Sequence, residues 1–287
     1  MSLIIMNFKE IFITKKPNNS FIERYISYYY FHSSLNALVN KKFIYYPSVK
    51  NAITIYKNSR ATYGHNYSSV VPDSTINFTC MYSGIQTSNR TTYISSPFNK
   101  IGIVFNELGI NHFIKNQLSS VCSDGNDKSF NHFVIQHGDY FNSIYSKKEI
   151  DVKVSLLNEF FINIFVGFNN TELKQSINLI NSSEQKITVE DLSRNLNISR
   201  RTLLRLFKKH LCSSVKDYIN IVQFRKALNQ YLLSKQNSSL TTVAHDNNFY
   251  DQPQFINHFK KLTNSSPKTF FKNVEHVGEE DTFWTFD

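Results

Sequence analysis

The side chains in this 287-residue chain best placed for chemistry are forks and amides on short basic segments, not acids or nucleophiles. In "ISRRTLLRLFKK", residues 198–209, Arg201, Leu204, Arg205 and Lys208 fall on one face at 100° per residue. In "FYDQPQFINHFKK", residues 249–261, Asn257 and Lys260 face outward with Pro253, flanked by Gln254 and Lys261. A guanidinium matches the major-groove edge of guanine with two parallel hydrogen bonds, and a Gln or Asn amide matches adenine in the same way. Lysines flanking such readers suit phosphate oxygens, which position a protein on a duplex without specifying sequence. The two stretches are copies. Phe-Lys-Lys recurs at 207–209 and 259–261, and Ser213-Ser214 recurs as Ser265-Ser266, every pair offset by 52 residues.

The elements that must hold these faces are legible around each copy. Thr188 and Asp191 have the spacing of a capping box, and Leu192 and Leu196 share a face. Asn197 sits where a tight turn needs a left-handed residue, and Ser199 is placed to cap the next helix, whose Leu203, Leu206 and Phe207 point inward. In the second copy Val243 precedes a turn at Asn248 and Asp251 is the expected cap. Gln252 opens the helix, Pro253 falls in its first turn, and Phe255 and Phe259 point inward. Between the copies, residues 215–233 read as one long helix. The expectation is two helix–turn–helix units on a rigid spacer, their second helices entering successive major grooves roughly 34 Å apart. On this reading the helix is written twice because two grooves are read.

Charge points the same way. Of a net +10, residues 184–273 carry 15 basic and six acidic side chains, an excess of nine. Such a footprint suits a polyanion. Residues 274–287 hold five acids and no Lys or Arg, an acidic tail.

The N-terminal part, 1–183, has another character. Residues 21–31, 51–58, 74–84 and 100–105 are rich in Tyr, Ile, Thr and Phe and read as strands of a small β-barrel or sandwich, with a short helix in "GINHFIKNQL". Leu156, Leu157, Phe160, Phe161 and Ile164 form a helical apolar stripe, read as packing on its own domain or as a dimer-forming face. Residues 181–186, "NSSEQK", read as the interdomain linker. The fold class is therefore α+β: a β-rich sensor or dimerisation domain ending in helices, then an all-α domain over 184–273. No stretch approaches the ~20 apolar residues of a membrane span, and no leader-like cleavage site follows the first residues, so the expected location is the cytoplasm.

Catalytic and metal chemistry find little support. Three scattered cysteines, Cys80, Cys122 and Cys212, give neither a disulfide framework nor a four-ligand zinc site. His132 and His137 are the nearest arrangement to a cupin metal pair. No nucleophile elbow and no phosphate-cradling glycine loop occurs. The expectation is no enzyme, no cofactor and no metal.

Residues of about 184–273 resemble the DNA-binding module of AraC/XylS-type bacterial transcription regulators. The matching pieces are "ITVEDLSRNLNISRRTLLRLFKKHL", the segment Arg225-Lys226-Ala227, and "TTVAHDNNFYDQPQFINHFKKLTNSSPKTFF". The N-terminal part is similar, more weakly, to the cupin-like sensor domains of such regulators. The resemblance implies a sequence-specific regulator of promoter DNA, activator or repressor, with Arg201, Leu204, Arg205, Gln254 and Asn257 at bases. It implies Arg200, Lys208, Lys209, Lys260 and Lys261 at the phosphate backbone. RNA polymerase, a small-molecule effector and a second copy of the chain are the further partners it leaves open, and no residue names the effector. Three departures stand out. Asn197 and Asn248 replace the usual turn glycines. Asn247 replaces an apolar residue facing the core, which implies a looser second unit. Pro253 stands where relatives often present a base-reading side chain. Two readings compete: a non-specific architectural DNA binder, and a metal-dependent cupin enzyme fused to a DNA-binding module.

Overall fold

Alternation of aromatic and β-branched residues makes the first hundred residues a pair of sheets. The computed structural model describes residues 4–5, 10–35, 40–122, 130–185, 187–233, 239–276 and 283–286. Its strands are β1 (Ile4–Ile5), β2 (Glu10–Lys15), β3 (Ile26–Ser34), β4 (Asn40–Tyr45), β5 (Ala52–Lys57), β6 (Ser59–Tyr63), β7 (Tyr67–Pro72), β8 (Phe78–Ser83), β9 (Arg90–Ser95), β10 (Phe98–Phe105), β11 (Glu275–His276) and β12 (Phe283–Phe286). One sheet runs β1-β2-β3-β10-β5-β8 and is antiparallel throughout. The other runs β11-β12-β4-β9-β7-β6, with β7 and β9 parallel. The acidic tail thus returns to the N-terminal half, where Trp284 pairs with Tyr45 and Phe286 with Phe43 across β12 and β4.

The two sheets face each other through Phe43, Val70 and Ile94 on one side and Tyr56, Met81 and Phe98 on the other. This is an open sandwich, so of the two expected forms the closed barrel is corrected. The first sheet is buried on both faces, which explains the nearly unbroken burial of β3 and β10. Along β10, Ile101, Ile103 and Phe105 point to the helices, whereas Phe98, Lys100 and Val104 are buried on the opposite face. Gly102 lies on that inner face because a Cβ there would strike the Tyr30 ring.

The helices are α1 (Leu118–Val121), α2 (His132–Ser146), α3 (Ile150–Asn163), α4 (Thr171–Ser182), α5 (Val189–Asn195), α6 (Arg200–Leu211), α7 (Val215–Leu233), α8 (Leu240–Asp246), α9 (Gln252–Thr263) and α10 (Pro267–Asn273). Helices α2 and α3 cover the first sheet, and the stripe Leu157, Phe160 and Phe161 is buried there, with Leu156 and Ile164 packed beside it. That face is closed to a second copy. Two local expectations shift. The strand expected over 21–31 starts as a 3-10 turn at Ile22–Arg24 and then runs on to Ser34, and "GINHFIKNQL" splits into a 3-10 turn at Gly109–Phe113 and the one-turn helix α1.

Two further cores hold the C-terminal helices. Leu192, Leu203, Phe207 and Leu211 of α5 and α6 bury against Leu173, Ile177 and Ile180 of α4 and against Val215, Tyr218 and Val222 of α7. Val243, Phe255, Phe259, Phe270 and Phe271 bury against Ile221, Phe224, Ala227 and Leu228, farther along α7. At 1.5 Å per residue, the 19 residues of α7 make a rod of about 28 Å. Its two ends belong to different cores, which fixes the two units relative to each other.

Candidate nucleic-acid interface and interior cavity

Each helix–turn–helix unit is set by its caps. The Thr188 side chain accepts from the Asp191 N–H and the Asp191 carboxylate accepts from the Thr188 N–H, the reciprocal pair expected from the spacing. Asn197 takes φ 50° and Asn248 φ 60°, left-handed positions that Asn tolerates. Ser199 caps α6 through the Thr202 N–H, and Asp251 caps α9 through the Gln254 N–H. Pro253 falls in the first turn of α9, where its missing N–H leaves no bond unmade.

These caps aim the two faces. On α6, Leu203, Phe207 and Leu211 are buried, and Arg200, Arg201, Leu204, Arg205 and Lys208 are exposed, with Lys209 half-buried. On α9, Phe255 and Phe259 are buried, and Pro253, Gln254, Asn257, Lys260 and Lys261 are exposed. Each phenylalanine buried at this depth is worth roughly 1.5–3 kcal/mol, so neither helix can roll its outer face inward without a large loss.

The outer faces differ in ways the sequence hid. Gln254 Oε1 already accepts from the Tyr250 N–H at 2.8 Å, and Gln252 Oε1 accepts from the Thr241 hydroxyl at 3.0 Å. Tyr250, immediately before the cap of α9, is 91% exposed, an aromatic ring offered to solvent at the mouth of the second unit. Asn247 does not loosen that unit. It is buried, its Nδ2 donates to Gln230 Oε1 at 2.5 Å and to the Val243 carbonyl at 2.9 Å, and its own carbonyl accepts from Gln223 Nε2 at 2.8 Å. The expectation of a looser unit is corrected: a polar network replaces the apolar contact.

A second feature lies inside the sandwich. A cavity of about 130 Å³ is walled by Tyr28, Tyr30, Phe43, Tyr46 and Tyr56 and carries three cationic side chains, Lys50, Lys100 and Arg225. Lys100 is buried between the Phe43, Tyr56 and Phe98 rings, with its Nζ 5.0 Å from the Phe43 centroid, and burial brings its pKa down to about 7. Nearby, buried Glu10 bonds His32 Nε2 at 2.7 Å and accepts from Lys41. Burial and the Lys100 charge hold His32 below its ordinary range, so the ring is neutral and its Nε2 is the donor to the carboxylate. Arg225 comes from α7 and crosses to the sandwich, where its Nε donates to the Pro47 carbonyl at 2.7 Å and its Nη2 to the Tyr46 carbonyl at 3.4 Å. Tyr46 in turn lies edge-on to Phe270 at 4.6 Å. The cavity wall is therefore also part of the contact between the sandwich and the C-terminal helices. Lys100 had a signal in sequence, since it alternates with Ile101 and Ile103 and must face the sandwich interior. Arg225 had none, because its partners are backbone carbonyls 178 residues away.

Metal and membrane features are quickly placed. His132 and His137 lie on α2, which kinks at His137, and their rings pack on Phe133 and Phe160. Among the described residues no three His, Cys, Asp or Glu side chains come together to hold a metal, and no helix is long and apolar enough to cross a membrane.

Comparison with known proteins supports this assignment of elements. A family model described as a helix-turn-helix domain matches residues 192–273. The Msm operon regulatory protein of Streptococcus mutans serotype c is 32% identical over 90 residues, 31% of this chain and 32% of that protein. The lactose operon transcription activator of Staphylococcus xylosus is 32% identical over 112 residues, 38% of this chain and 39% of that protein. The match thus spans about a third of the length of these curated relatives. Among solved structures, ToxT from Vibrio cholerae strain SCE256 with an unsaturated fatty acid bound aligns over 96% of this chain and 99% of its own, at 14% identity and a TM-score of 0.45. A transcriptional regulator from Chromobacterium violaceum with an AraC-type DNA-binding domain aligns over 34% of this chain and 87% of its own, at 22% identity and a TM-score of 0.30. A helix-turn-helix model and two bacterial operon regulators thus align with the same third of the sequence, and residues 192–273 are similar to the helix-turn-helix domain of such regulators.

Proposed function

We propose that this chain is a sequence-specific regulator that reads two successive major grooves through α6 and α9 and is tuned by a small anionic molecule held in the sandwich. The observation that carries the first half is the repeated unit on one rod. Two helices with buried phenylalanines inside and basic or amide side chains outside are fixed to opposite ends of α7. Arg201, Leu204 and Arg205 read bases from α6, and Gln254 and Asn257 from α9. Arg200, Lys208, Lys209, Lys260 and Lys261 hold phosphates. The chain has no catalytic role on this reading, and it works on promoter DNA in the cytoplasm. Mobility shifts at physiological salt test it: promoter fragments from the organism's own operons should include one bound well above random duplex. Equal binding to all duplexes would make it an architectural binder instead.

The second half rests on the cavity. Aromatic walls suit an apolar or flat body, and cationic groups from both the sandwich and α7 suit an anionic head. A ligand there touches the Arg225 contact and so reaches the DNA-binding helices. The sign of the pH dependence follows from Lys100. With its pKa brought down to about 7, it is charged below pH 7 and neutral above, and an adjacent anion restores the charge. Carboxylate binding should therefore take up a proton above pH 7, and affinity should fall as pH rises from 7 to 8.5. Calorimetry with a series of alkyl and aryl carboxylates in two buffers of different ionisation enthalpy measures this. Affinity that rises with pH would exclude Lys100 from the site.

A further inference from the structure

Two of the three cysteines close neighbouring helices at the boundary between the sandwich and the first helix–turn–helix. Cys122 closes α1 and Cys212 closes α6, and α1 packs against α6. Both are half-buried thiols, and both pack on the core beneath the first sheet. A single side chain from that sheet lies near both. Tyr82 on β8 donates its hydroxyl proton to Asn51 Oδ1 at 2.5 Å, and Cys122 and Cys212 both lie within electrostatic reach of its oxygen. The third cysteine, Cys80, is fully buried, and burial pushes its thiol pKa up, so it stays protonated and inert.

The backbone gives an independent sign. Cys212 sits at φ 53°, ψ 28°, in the left-handed region. The equivalent residue of the second unit, 52 positions on, is Asn264 at φ 58°, ψ 18°. The other left-handed turns of the DNA-binding helices are also asparagines, Asn197 and Asn248. Asn tolerates this conformation through its short polar side chain, and Cys has no such compensation. A thiol kept where its backbone is unfavourable points to a use for the sulfur. The surroundings also fix the end of α6 to the sandwich side. Asn111 Nδ2 donates to the His210 carbonyl at 3.0 Å, and the Phe168 ring lies 4.9 Å from the His210 ring.

We propose that Cys122 and Cys212 are an oxidation site that closes to a reversible disulfide, pinning the C-terminal end of α6 to the sandwich and weakening DNA binding. The oxidant is a peroxide. One thiolate attacks the peroxide oxygen, becomes a sulfenic acid and releases the first water. The second thiol displaces the sulfenic hydroxyl, the S–S bond forms and a second water leaves. Two thiols lose two electrons in all, and hydrogen peroxide is reduced to two waters. A dithiol reverses the bond by exchange. The consequence for DNA rests on α6 being a groove-reading helix, but bond formation does not.

The test uses the full-length chain. Reduced protein is treated with hydrogen peroxide, alkylated, digested without reductant and analysed by mass spectrometry, and DNA affinity is measured in parallel. The expected result is an intramolecular link between the Cys122 and Cys212 peptides, removed by dithiothreitol, with Cys80 unlinked. DNA affinity should fall roughly tenfold, within the range of ordinary couplings between sites, and recover on reduction. Cys212→Asn, which copies the Asn264 turn, should fold normally, bind DNA like the reduced protein and ignore peroxide. Cys122→Ser should ignore it too. Alkylation of both thiols after peroxide, or links only between chains, would overturn the proposal. A correct link with unchanged affinity would overturn its control of α6. Reduced protein without promoter preference would instead overturn the reading of α6 as a DNA helix.

Discussion

In the first helix–turn–helix unit α6 offers two exposed guanidinium groups, Arg201 and Arg205, one turn apart; in the second α9 offers Gln254 and Asn257 beside a proline. The scaffolds beneath are the same: an Asn turn with positive φ, an oxygen cap, and a buried Phe at the matching position, Phe207 or Phe259. The outer surfaces are not, and Gln254 is already engaged with the Tyr250 N–H. The interiors differ as well. The first unit has an apolar core shared with α4, whereas the second carries the buried Asn247 network and touches the sandwich through Tyr46 and Phe270. The two copies share what builds the helix and differ in the side chains they present outward. We therefore assign dominant base readout to the first unit and a positioning role to the second.

The largest expected effect is on that assignment. Arg201→Ala and Arg205→Ala should each cost specific binding about 1–3 kcal/mol and relax preference at one base position, as loss of a bidentate contact does. Competition binding against single-base variants of the site checks this. Both side chains are exposed, so melting temperatures should hold, and a fall in melting would show that the arginine serves the fold instead. Next comes the interior of the second unit. Asn247→Ala removes one partner each from Gln230 and the Val243 carbonyl in a buried setting and should lower stability by about 1–3 kcal/mol. Denaturant unfolding measures it, and an unchanged midpoint would return the second unit to the looser description.

Smaller effects sharpen the contrast. Gln254→Ala should weaken specific binding by less than about 1 kcal/mol, below the 1–3 kcal/mol of a full bidentate contact, because its Oε1 already serves Tyr250. A larger loss than for the arginines would reverse the ranking of the two units. Lys260→Ala should leave base preference untouched and flatten the salt dependence of log K by about one unit, the mark of one phosphate contact. A changed base preference would move Lys260 from the backbone to a base.

What could be read in the sequence divides along the same physical line. The C-terminal helices were legible to within a residue at their caps, because Thr188, Ser199 and Asp251 are local signals acting three residues away. The sandwich was legible only as a class. Strands such as β6 and β7 carry polar and short side chains with little apolar alternation, so no local pattern marks them. The tail showed its acidity but not its pairing with β4, which is made by backbone groups that any sequence supplies. For the candidate site, the outer faces of α6 and α9 followed from periodicity, and every named side chain except the half-buried Lys209 is exposed. The tie between Gln254 and Tyr250 did not follow, because a side-chain amide turned back on its own cap looks in sequence like a free reader.

Hydroxyl-radical footprinting together with base-methylation interference on a selected site tests the central claim most directly. The account predicts two protected tracts about ten base pairs apart on one face of the duplex, one under each unit, with guanine methylation interfering most in the tract lost in Arg201→Ala and Arg205→Ala. A single protected groove, or guanine interference confined to the tract under α9, would contradict it.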